Sequence, residues 1–152
     1  MSKPEFVPDH CIRKAEETKP KVGAHARWAI FDNSDMAAIH VTDVDCWLKN
    51  AGCLKADFVV SKPKLIDVIV EIKGSNIDHA IKQIISTAEQ WRKASAITTI
   101  LGGLIIFTRS PESSASLANR KRKLRDKHRI HLELGKSGKT EYRFETFTGK
   151  KA

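Results

Sequence analysis

A mixed α/β fold, a central β-sheet flanked by helices, is what this chain of 152 residues predicts. Three stretches carry the expectation. FVV (58–60) and LIDVIVEI (65–72) are Val/Ile-rich strand runs joined by the turn-forming SKPK. Ile77, Ala80, Ile81, Ile84, Ile85, Ala88 and Trp91 then repeat at helical spacing. LGGLIIFTR follows, with a continuously apolar strand near 104–109 that reads as buried on both faces.

The rest of the chain fills in around these. Residues 1–8, with two prolines, read as a flexible lead-in, and 148–152 as a tail. Asp9 is placed to cap a short helix over 10–18 that stops before Pro20. AHARWAIFDN (24–33) and AAIHVTDV (37–44) read as strands separated by an Asn33-Ser34-Asp35 turn. Trp47 and Leu48 pack inward from a short helical or irregular segment. Lys55–Ser61 and Leu65–Lys73 are the central strands, ended by Gly74. Asn76 caps the next helix, with Asp78 in its first turn to complement the helix dipole. Ser110-Pro111-Glu112 starts another helix, which runs to about Lys127 and is basic nearly all round in its second half. RIHLEL, a GKSGK turn and TEYRFETF read as a closing hairpin. No Pro/Gly/Ser-rich linker divides the chain, so 1–152 is one domain.

Composition narrows the function. With 41% hydrophobic and 30% charged residues, the chain has material for a core and is not globally disordered. The longest apolar stretch is short and interrupted, which excludes a bilayer-spanning helix. Cys11, Cys46 and Cys53 are odd in number and form no CxxC pair. They are expected as reduced thiols of a cytoplasmic protein, without a structural zinc site. The net charge of +9 is uneven: residues 108–152 hold 13 Lys and Arg against 5 Asp and Glu. A basic third of this kind suits a polyanion, DNA above all, rather than a membrane.

The chemistry is expected at one end of the central hairpin. On a strand, side chains two apart share a face, so Glu71 and Lys73 project together. Asp57, opening the neighbouring strand, joins them if the two strands pair. Two carboxylates, with the Ile72 carbonyl as a third oxygen donor, suit Mg²⁺ or Mn²⁺. Lys73 stands ready to orient water or offset developing charge, and Gln83 to hold water or phosphate. Asp43 and Asp45 form a further acid pair that either ends a strand or leans into the site.

KADFVV followed by VIVEIKG resembles the core of the PD-(D/E)xK nuclease superfamily, which includes restriction endonucleases and Holliday-junction resolvases. On that pattern Asp57 matches the first acid, Glu71 the second and Lys73 the lysine. Gln83 resembles the glutamine that some members carry on the following helix. The family's early-helix acid falls on Glu16 or Glu17, with Glu17 taken as catalytic. Ala56 stands where many members have proline, and Thr87 where a QxxxY variant would have tyrosine. The resemblance implies a restriction-endonuclease-like core and a metal-dependent DNA phosphodiester hydrolase. Arg120, Lys121, Arg122, Lys123, Arg125, Lys127 and Arg129 would grip the backbone, and a homodimer would place two sites on a duplex. Two other functions compete: a catalytically silent nucleic-acid-binding module, and a protein-interaction or immunity factor whose basic face meets an acidic partner.

Overall fold

The computed structural model describes residues 4–24, 27–72, 76–96, 99–107, 114–137 and 141–149. Lys73, Gly74, the Ser110-Pro111-Glu112 helix start and Gly138 and Lys139 of the GKSGK turn lie outside them.

Six strands form the main sheet: β1 (Ile12–Ala15), β4 (Ile39–Asp43), β5 (Phe58–Lys62), β6 (Ile66–Ile72), β7 (Leu101–Phe107) and β8 (Ile130–Lys136), in that spatial order. The first four pair antiparallel, while β6, β7 and β8 are parallel. The parallel half needs crossovers, and the two long helices provide them. They are α2 (Ile77–Ser95) and α3 (Ser114–His128). A second sheet of β2 (Lys21–Ala24), β3 (Arg27–Asp32) and β9 (Glu141–Arg143) completes the architecture, with a short helix α1 (Val44–Trp47).

Alternation along β5 and β6 builds two cores. Val59 and Ile69 face α2 and α3, where they meet Ile84, Trp91 and Leu124. Val60, Val68 and Val70 face the other way, toward the small sheet, and meet Phe31, Tyr142, Phe144 and Phe147. β7 is buried along its whole length, as its continuous apolarity predicts, and it begins earlier than expected because it includes the glycine pair. A Cβ at Gly102 would stand 2.7–2.9 Å from Phe147, so that ring can lie on the sheet only over a glycine.

Several expectations about the chain ends are overturned. Residues 10–18 are not a helix. A 3-10 turn at Asp9–Cys11 leads into β1, whose edges are satisfied by pairing Ile12 with Thr42 and Ala15 with Ile39. Residues 4–8 are not loose either: Val7 is buried, and the Phe6 ring lies 4.8 Å from that of Trp91 and 5.7 Å from that of Trp47. The closing hairpin does not form. β9 leaves β8 and pairs parallel with β3, seating Tyr142 opposite Phe31. A stacked Phe31–Phe144 pair, centroids 5.0 Å apart, anchors that aromatic cluster, and TEYRFETF finishes as a 3-10 turn, Phe144–Thr148.

The cysteines differ too. Cys11 and Cys46 are joined in a disulfide, and Cys53 is free. Antiparallel pairing of β1 with β4 carries residue 11 to the start of α1, a contact that thiol spacing in the sequence does not reveal. Among the described residues, no helix is long and apolar enough to cross a membrane.

Candidate metal and nucleic-acid site

The β5–β6 hairpin forms as the SKPK signal predicts. Leu65 N–H donates to Lys62 O across a turn with Pro63 second and Lys64 third, at φ 66. From there Phe58 registers with Val70. Asp57 lies one residue beyond this pairing, and its N–H donates to Val70 O at 3.0 Å. Its carboxylate accepts from the Ile72 N–H at 2.7 Å. The first acid is thereby held against the strand segment that carries the second. Glu71 alternates with Ile69 on β6, so it projects toward the helical layer, where it is only 1% exposed.

Two polar side chains of α2 clamp the approach to Asp57. Gln83 Nε2 donates to Lys55 O at 2.9 Å, and Thr87 Oγ1 accepts from Ala56 N–H at 2.8 Å. Both are buried, although the apolar stripe alone placed Gln83 outside the packed face. They lie one helical turn apart, which lets them reach consecutive backbone groups. On the other side, Val44 N–H donates to Asp57 O at 3.1 Å. Asp57 is thus gripped by β6, α1 and the segment that α2 holds.

The early acids separate. Glu16 and Glu17 follow β1 at its Ala15–Ile39 end, and β4 in turn pairs His40 with Ser61. This is the turn end of the hairpin, opposite Asp57, so Glu17 does not join the site. Its carbonyl accepts from Asn33 Nδ2 at 3.0 Å, and Glu16 pairs with Lys14. The assignment fails because it depended on a helix that is a strand. Asp43 lies at the right end, registered with Phe58, but its Oδ1 caps α1 through Cys46 N–H. Asp45 is exposed and pairs with Lys55 at 3.9 Å. Among the described residues, no third carboxylate or histidine forms a close ligand group with Asp57 and Glu71.

The donors at this end are oxygens, which fits Mg²⁺ or Mn²⁺ rather than a thiophilic ion. In extended backbone the N–H and C=O of one residue point to the same side. The Ile72 N–H meets Asp57, so its carbonyl is aimed the same way.

α3 presents the basic run. Among the described side chains of α3 only Leu124 is buried, while Arg122, Lys123, Arg125 and Lys127, with Arg129 just beyond the helix, are exposed. Arg120 and Lys121 are half-buried, and Arg120 is tied to Asp78 of α2 at 3.0 Å. That contact fixes the middle of α3 against the start of α2. Arg129 sits at the other end of the sheet, where its carbonyl accepts from Leu101 N–H. Sequence reasoning missed Arg92, which bonds the His128 and Arg129 carbonyls and so caps α3. Burial, aided by Arg129, pulls its guanidinium below the ordinary range.

A cavity of 770 Å³ opens at the hairpin's turn end, walled by residues including Phe6, Leu65, Asp67 and Trp91. It is remote from Asp57 and Glu71 and forms no part of their site. Burial pushes the Asp67 carboxyl up, although Trp91 Nε1 donates to it at 2.9 Å.

Comparison with protein-family models, curated proteins and solved structures finds no match to this chain.

Proposed function

We propose that this protein is a metal-dependent nuclease that hydrolyses DNA phosphodiester bonds, built on a restriction-endonuclease-like core. The observation that carries the reading is the 2.7 Å bond between Asp57 and the Ile72 backbone, which sets one acid beside the Glu71–Ile72 segment. Asp57, Glu71 and the Ile72 carbonyl would hold Mg²⁺ or Mn²⁺. Bound there, the ion would supply an activated water and offset charge on the phosphate. Lys73 follows Glu71 by two positions in the sequence, and the proposal gives it the task of orienting that water. Gln83 acts here as a positioning residue that holds Lys55, rather than as a phosphate ligand. The exposed bases of α3 would contact phosphates without reading sequence. Cutting both strands of a duplex calls for two such sites, hence a homodimer.

One observation favours a second reading. Glu71 at 1% exposure sits deep for a ligand that must meet a solvated ion. A catalytically silent DNA-binding module of the same fold accommodates that burial. Plasmid, single-stranded and branched DNA, each incubated with Mg²⁺, Mn²⁺ or a chelator, separate the two. The nuclease reading expects cleavage with either ion, none with chelator, and a Lys73→Ala variant that binds DNA but cuts roughly 100-fold or more slowly. Salt-sensitive binding with no cleavage by the wild type would establish the silent module instead.

A further inference from the structure

We propose that His10, Cys11 and Cys46 form a second, thiophilic metal site that appears when the Cys11–Cys46 disulfide is reduced. One ring nitrogen of His10 and the two sulfurs all lie within 4.8 Å of one another. This is the one such group of three among the described residues. Two sulfurs and an imidazole are the ligand types of Zn²⁺, and unlike the oxygens around Asp57 they select against Mg²⁺.

The site is held by contacts independent of the sulfur–sulfur bond. Cys11 N–H donates to Pro8 O at 2.9 Å, and the next residue, Ile12, pairs with Thr42 of β4. Cys46 is fixed by its own N–H, which donates to Asp43 Oδ1 at 3.2 Å. Both backbones therefore stay in place when the bridge opens. Tetrahedral zinc, with Zn–S near 2.3 Å, sets sulfurs about 3.8 Å apart, a separation the two anchored residues reach by side-chain rotation. Cys11 is buried and Cys46 half-buried, while His10 is exposed, so the ion would enter from the His10 side.

The chemistry balances with a dithiol reductant. Exchange breaks the Cys11–Cys46 bond, leaves a thiol on each residue, and oxidises the dithiol to its own disulfide. Binding of Zn²⁺ then releases both thiol protons to solvent, and neutral His10 donates its nitrogen lone pair. Three protein ligands leave a fourth position for water. The inference does not depend on the phosphodiester reading and is tested without DNA.

The test is Co²⁺ titration of the full chain, before and after reduction by a phosphine that is then removed under anaerobic conditions. The reduced wild type should show a thiolate-to-cobalt charge-transfer band and the intense visible bands of a tetrahedral centre. These should saturate at one ion per chain and be displaced by Zn²⁺. The oxidised wild type, which needs no substitution to fold, should show neither. Cys53→Ser should retain the spectrum after reduction, and His10→Ala should lose its tetrahedral intensity. No charge-transfer band in the reduced chain, the same band in the oxidised chain, or its loss in Cys53→Ser would overturn the assignment.

Discussion

The Asp57 carboxylate accepts the Ile72 backbone N–H at 2.7 Å, joining residues 15 apart at the end of the β5–β6 hairpin. A strand partner would ordinarily take that N–H through a carbonyl. Here a side chain does so, which fixes the carboxylate beside the segment containing Glu71. Asn can accept the same bond, whereas Ala cannot. Asp57→Ala is therefore expected to lose about 1–3 kcal/mol of stability, and Asp57→Asn much less. Urea unfolding of the two variants measures this. Under the nuclease reading both abolish cleavage, so activity and stability part company in Asp57→Asn.

Thr87 holds the residue before Asp57 by accepting the Ala56 N–H at 2.8 Å. Valine has nearly the same shape but no acceptor. Thr87→Val should leave a buried donor unsatisfied and cost about 1–3 kcal/mol. Ser at this position should keep most of that bond. Equal unfolding midpoints for the Val and Ser variants would show that the bond contributes nothing.

The turn between β5 and β6 carries a mismatch. Pro63 and Lys64 are its central residues, and Lys64 has φ 66, the left-handed region where glycine is at ease. Lys64→Gly should stabilise the protein by about 0.5–1 kcal/mol, net of the extra backbone entropy of glycine. A rise of a few degrees in the calorimetric midpoint is the expected result.

Asp67 gives stability a pH dependence of definite sign. Burial raises its folded pKa above the ordinary 3.8, so the folded protein holds the proton more tightly than the unfolded chain. Its contribution is therefore most favourable below 3.8 and is lost as pH rises through the folded pKa. Asn keeps an acceptor for Trp91 Nε1 and carries no charge. Asp67→Asn should match the wild type in acid and exceed it at neutral pH, as measured by denaturant midpoints across that range. A neutral-pH midpoint below the wild type's would reverse the argument.

The Cys11–Cys46 bridge closes a separation of 35 residues. Chain-entropy arguments assign such a loop about 4 kcal/mol. Reduction under metal-free conditions should lower the unfolding free energy by about 2–4 kcal/mol, with Cys53→Ser behaving as wild type throughout.

Local periodicity determined much of this protein. The α2 stripe, the Asn76 cap, the all-buried β7 and the Pro-containing turn are written in residues a few positions apart, because each depends on its own backbone geometry. The same stretches place Asp57 beside the Glu71–Ile72 segment provided that the two strands pair, as they do. Tertiary structure alone decided the rest. Residues 12–15 became a strand because β4 offered them partners, and β9 pairs with β3 rather than β8, where Tyr142 joins Phe31 and its aromatic neighbours. Glu17 moved to the wrong end with β1, and Cys11 met Cys46 through the same pairing. Gln83 lies off the apolar stripe in the sequence, yet it and Thr87 are buried because the backbone before Asp57 needs their hydrogen bonds. A short-range pattern records what a segment can form on its own, while the choice of distant partner depends on surfaces that exist only once the chain is folded.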